Sequence, residues 1–151
     1  MKDVIPGDAE FEKEFANAKI SKAYLARYYL NVLEKQKAGE KEPELVPNAN
    51  EAEVNLEHVL PQNPSSGTWA AFDEDARSAF THRLGNLALM KVSDNTQSGT
   101  EEFSDKKQRY AKSNFVLTKM IADYTDWTSK EIEDRQRQLA TLALAAWPQK
   151  P

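Results

Sequence analysis

The chain has 151 residues, 40% hydrophobic and 29% charged, which suits one ordinary globular domain with its own core and excludes a disordered chain. No run approaches the roughly 18 apolar residues of a spanning helix, and no apolar signal segment opens the sequence, so a cytoplasmic protein is expected. The absence of cysteine excludes disulfides, a thiol nucleophile and a cysteine-ligated zinc brace, and the net charge of −4 gives no general attraction to a polyanion.

Pro6-Gly7 ends a loose start, and Asp8 then caps a short helix with Phe11 and Phe15 one turn apart. A longer helix follows from Ser21 to Ala38, closed by Gly39. Its Tyr24, Tyr28 and Val32 recur at four-residue steps beside Leu25 and Leu33, a stripe expected to pack at the core and its rim, with base stacking as the other use of those rings. Residues 40–50 are polar, charged and Pro-containing, a surface connection.

The period then changes from helical to alternating. Val54, Leu56 and Leu60 alternate with Asn55, Glu57 and Val59, a short strand that stops at Pro61. Trp69 and Phe72 should anchor the following turn, and Asp73 caps a helix through Phe80 that Gly85 ends. Residues 86–92 suit a second strand pairing with the first, and Asp94 and Asn95 stand where another helix should begin. The rest is helical: 104–112, 114–124, and a last helix opened by Thr128 with Glu131 in a capping box.

The two histidines, His58 and His82, both neighbour groups that could give them chemical work. Glu57 precedes His58, and since adjacent strand residues face opposite ways, both reach one metal only if the strand twists or bulges at its end. Asn86 follows in His-Arg-Leu-Gly-Asn-Leu, and Asn95 lies nine residues later. His82 reads either as support for the Leu84-Gly85-Asn86 turn or as a phosphate or metal contact, since a helix C-terminus favours a cationic imidazole. Lys106, Lys107, Arg109 and Lys112 read either as a solvated face or as a phosphate-facing patch.

The set His58, Asn86, Asn95, with Glu57 before the histidine, resembles the core of the HNH, or His-Me finger, nucleases. The flanks Glu-His-Val-Leu-Pro-Gln at 57–62, Trp69, His-Arg-Leu-Gly-Asn-Leu at 82–87, Phe103 with Lys106, Trp127, Ile132 with Arg135, and Trp147-Pro148 together resemble the C-terminal nuclease domain of GmrSD-like restriction enzymes and SspE-type defence proteins. That resemblance runs from about residue 20 to 148 and rests on many short motifs in order, which is more specific than any one of them.

The resemblance implies an α+β, predominantly helical fold in which a small β-hairpin and helix, the ββα-metal core, sit inside a helical bundle. One nuclease domain is expected over 1–151, with a helical part at 1–50, the core at 51–103 and closing helices at 104–151, as a fragment of a larger protein. It further implies a metal-dependent endonuclease that nicks phage or modification-marked DNA, under a ParB-like nucleotide-hydrolysing sensor domain or subunit. In that scheme neutral His58 takes a proton from water and Asn86 orients the imidazole. Glu57 and Asn95 bind Mg²⁺ or Mn²⁺, and His82 joins the basic patch on DNA. Thr100 departs from the pattern, since related domains often carry Asn three residues before the Phe. Two other classes compete: a catalytically weak or inactive module of this fold that binds DNA or a partner subunit, and a purely helical adaptor, which leaves the alternating period at 54–60 unexplained.

Overall fold

The computed structural model describes residues 8–39, 54–91 and 102–147. Asn95 and Thr100 lie outside them. In chain order the elements are α1 (Asp8–Phe15), α2 (Ala23–Ala38), β1 (Val54–His58), α3 (Glu74–Phe80), a 3-10 turn (Leu84–Asn86), β2 (Leu87–Lys91), α4 (Phe103–Tyr110), α5 (Val116–Ile121) and α6 (Ser129–Ala146). The fold is α+β and mostly helical, and no helix among the described residues is long and apolar enough to cross a membrane.

Local chemistry sets most boundaries. Gly39 closes α2 in the left-handed region at φ 69, with its N–H on the carbonyls of Lys35 and Gln36. Asp73 caps α3 through Ala76 N, and Thr128 and Glu131 form a reciprocal capping box at the head of α6. Gly85 has a different task from the helix-ending one expected of it, because α3 already stops at Phe80. A Cβ at Gly85 would stand 2.3 Å from the Ile132 carbonyl oxygen and 3.0 Å from Gln136 Cβ, so this glycine lets the 3-10 turn lie directly on α6.

β1 and β2 pair antiparallel in unbroken register, Val54 with Lys91 through His58 with Leu87. Alternation sends Val54, Leu56, Leu87 and Leu89 to one face, where Ala26, Leu30 and Leu33 of α2 and Leu139, Ala140 and Ala143 of α6 join them. Val59, Ala88 and Met90 face the other way, toward Trp69, Phe72, Phe103, Tyr110 and Trp127. β2 is thus buried on both faces from Leu87 to Met90, while β1 is buried at Val54 and Glu57 and half-buried at Asn55, Leu56 and His58.

The tyrosine stripe of α2 is corrected by this packing. Tyr24 is 60% exposed and Tyr28 55%, while Leu33 is buried as expected, together with Ala26 and Leu30. At 3.6 residues per turn Tyr24 and Tyr28 lie roughly 160° from Ala26, so the two stripes are mutually exclusive and α6 takes the aliphatic one.

Candidate active site

His58 closes β1 at the edge of the paired region, half-buried. His82 approaches from the segment after α3, its backbone held because its carbonyl accepts from Ile20 N at 2.8 Å. The two imidazoles stand edge to face, with ring centroids 5.7 Å apart and planes at 85°. Burial first, then the neighbouring His82 and Lys106, lower the pKa of His58 from 6.5 to about 4. The ring is therefore neutral at pH 7, the form that accepts a proton, although its basicity is reduced.

Asn86 is fully buried and bonds not to the imidazole but to the backbone just beyond it. Its Oδ1 accepts from Leu60 N at 2.8 Å and its Nδ2 donates to Leu60 O at 3.0 Å, while its backbone carbonyl accepts from Val59 N at 2.9 Å. The same amide donates to Thr81 O and accepts from the Trp127 indole, each at 3.0 Å. Both ends of the amide are satisfied, so Asn86 can act on His58 only by fixing the chain that carries it.

Behind Asn86 stands a second layer from α6. Gln136 Oε1 accepts from Gly85 N at 3.0 Å, and Arg135 donates to the carbonyls of Gly85 and Leu87 at 2.9 and 2.8 Å. The indole of Trp127 and the amide of Gln136 went unmarked as site supports in the sequence. Tryptophan and glutamine near a helix carry no such signal by themselves.

Two expected roles are corrected. Glu57 was expected to bind metal beside His58, but the unbroken register turns the two side chains to opposite faces. Its carboxylate is buried, accepts from Tyr110 Oη at 2.6 Å and pairs with Lys106 Nζ at 3.1 Å. Lys106 was expected on a phosphate-facing patch, and it lies inside, 1% exposed. A signal was present: Phe103, Lys106 and Tyr110 sit at helical i, i+3 and i+7 positions, the buried stripe of α4. Of the remaining patch, Lys112 is exposed, while Lys107 and Arg109 are half-buried. The Lys107 ammonium lies 6.0 Å over the Phe103 ring.

The described residues alone do not fit a hard divalent ion. Among them no three His, Cys, Asp or Glu side chains meet in one place, and Glu57 is consumed by its interior partners. His58 and His82 are the two donors that face one another.

A neutral, half-buried imidazole stands at the end of β1, and the backbone just beyond it is held by the buried Asn86 of Gly-Asn-Leu, which β2 follows. No curated protein matches the chain. The family model for the C-terminal domain of GmrSD restriction endonucleases matches residues 5–142, so this chain, with its His58 strand and its Leu-Gly-Asn-Leu turn, belongs to that family.

Proposed function

We propose that the chain is a DNA endonuclease module of the HNH type, dependent on Mg²⁺ or Mn²⁺, that nicks one strand per encounter in a restriction or phage-defence system. Membership in the GmrSD C-terminal family implies a restriction-endonuclease-type nuclease module. The observation that carries the finer reading is the neutral His58 imidazole, kept unprotonated by burial and by His82, on a backbone clamped by Asn86.

In this reading His58 takes the proton of the attacking water as its oxygen forms a bond to phosphorus and the 3′-side or 5′-side ester oxygen leaves. The base contributes about 10²–10⁴ in rate. His82, edge to face with His58, donates to a phosphate oxygen, and Lys107, Arg109 and Lys112 add contacts to the DNA backbone. A divalent ion would supply charge neutralisation at the phosphate and the leaving oxygen. Asn95 keeps its place as an oxygen ligand in the proposal, and Glu57 leaves it. The resemblance to SspE-type and GmrSD-like proteins supports control by a ParB-like nucleotide-hydrolysing sensor.

The test is cleavage of supercoiled plasmid with Mn²⁺ or Mg²⁺, wild type beside His58→Ala, with a chelator control. The expected result is nicking that the substitution lowers about a hundredfold or more. Equal activity of the two proteins, or none from either with any divalent ion, refutes the enzyme reading. A second reading, a module of this fold that binds DNA or a partner subunit without cutting, is favoured by the withdrawal of Glu57 into the interior. It predicts the second of those failures together with retained binding.

A further inference from the structure

The ligand and the phosphate contact expected at Glu57 and Lys106 meet each other instead, and the meeting point is the backbone of His58. Lys106 Nζ donates to the His58 carbonyl at 2.9 Å and to the Val59 carbonyl at 3.0 Å, and it stands 3.1 Å from Glu57 Oε2. An ammonium has three N–H bonds, and these are three acceptors within reach. Tyr110 Oη donates to the same Glu57 oxygen, and the Trp69 ring lies 5.7 Å from the ammonium.

A buried ion pair of this kind is weak support for stability, since an apolar replacement of similar volume is often neutral or stabilising. Geometry is the better account. The segment His58–Leu60 is held on one side by Asn86, through Val59 N, Leu60 N and Leu60 O. On the other side the carbonyls of His58 and Val59 are held by Lys106. The 3-10 turn and α4 thus hold the peptide after His58 from both of its polar ends, its carbonyl through Lys106 and its N–H through Asn86.

We propose, on the nuclease reading of the site, that Lys106 is a positioning residue: with Glu57 as counter-ion and Tyr110 as brace, it fixes the His58–Val59 peptide so that the imidazole meets His82 and its water in one orientation. Glu57 then serves catalysis from the far face of the strand without touching metal or DNA. Lys106 also adds, after burial and His82, to the lowering of the His58 pKa.

The test uses the Glu57→Gln/Lys106→Met double variant, which removes both charges together and so leaves no unpaired buried ion. The chain has two histidines, His58 and His82, so histidine-selective labelling gives a spectrum simple enough to assign. The expected result is a folded protein whose His58 ring signal is broadened or doubled and whose Val59 and Leu60 amides exchange about tenfold faster. Its kcat on plasmid should fall by about tenfold to a hundredfold with KM little changed, the scale of a small misplacement of a reacting group. A folded double variant with wild-type His58 signals and wild-type exchange at Val59 and Leu60 overturns the proposal. If the wild type does not cut, the nuclease reading fails, and the ring signals and amide exchange still decide whether Lys106 sets the imidazole. If the double variant does not fold, Lys106→Arg takes its place: it keeps a charge opposite Glu57 but cannot aim three donors from one atom. Displaced His58 signals then support the proposal, and unchanged ones refute it.

Discussion

Replacing Asn86 by aspartate changes one atom type in the centre of the site. The Nδ2 group donates to Leu60 O and to Thr81 O, both at 3.0 Å, inside a position with no exposure. In Asn86→Asp an oxygen faces those two carbonyls, and each orphaned buried acceptor costs about 1–3 kcal/mol. An ionised carboxylate there would add a desolvation cost, so the introduced carboxyl takes up a proton and its folded-state pKa rises above the ordinary 3.9 or so. A raised acid pKa means a penalty that grows as pH climbs above the unfolded value and shrinks as pH falls toward it. Relative to wild type, the variant should lose about 3 kcal/mol or more at pH 7, and visibly less near pH 4.5, where the protonated carboxyl can donate to one of the two carbonyls. Paired urea titrations of both proteins at the two pH values measure this difference. A loss below about 1 kcal/mol at pH 7, or one that does not change with pH, would refute the assignment of Asn86 as a saturated interior clamp.

The close contact at Gly85 predicts that Gly85→Ala, which puts a methyl 2.3 Å from the Ile132 carbonyl, costs about 1–3 kcal/mol and lowers cleavage more than binding; denaturant midpoints beside plasmid kinetics check it. The low pKa of His58 gives stability that is present above pH 6.5 and is lost as pH falls toward 4, because the unfolded imidazole binds a proton the folded one refuses. Between pH 7 and pH 5 that term is on the order of 1 kcal/mol, and His58→Gln should remove it from the pH dependence of urea unfolding. Lys112 is exposed and Lys106 is buried, so Lys112→Ala, with Lys107→Ala, should flatten the dependence of DNA binding on salt by about one unit of slope each; an unchanged slope in a salt series removes both from the interface.

Much of the scaffold was legible in the sequence because its signals are local. Gly39, Asp73 and the Thr128–Glu131 box each act within a few residues of the helix end they mark, and the period-two stretch at 54–60 carries its own strand signature. The proximity of His58 and Asn86 could be expected because both lie where two pairable strands begin or end. What sequence reading mistook is decided by partners remote along the chain. Lys106 looks like a surface charge until α4 is placed against β1, 48 residues from the His58 carbonyl it holds. Glu57 looks like a ligand until the register is seen to run without a bulge. For Tyr24 and Tyr28, α2 carries two stripes that could each be buried, and its packing against α6, α5 and the strands chooses between them.

The reach of α6 has a consequence for the order of events as the chain is made. Gln136 holds Gly85, 51 residues earlier, and bonds through its Nε2 to the carbonyl of Phe15, 121 residues earlier. At about 5–20 residues per second, a ribosome that has just added Gly85 needs roughly 3 to 10 s more to add Gln136. During that interval the His58 strand exists without the helix that holds the residues on either side of Asn86. Until α6 has been made, the turn that carries Asn86 lacks the contacts of Arg135 and Gln136, so the described arrangement around His58 completes only after most of the chain has been synthesised.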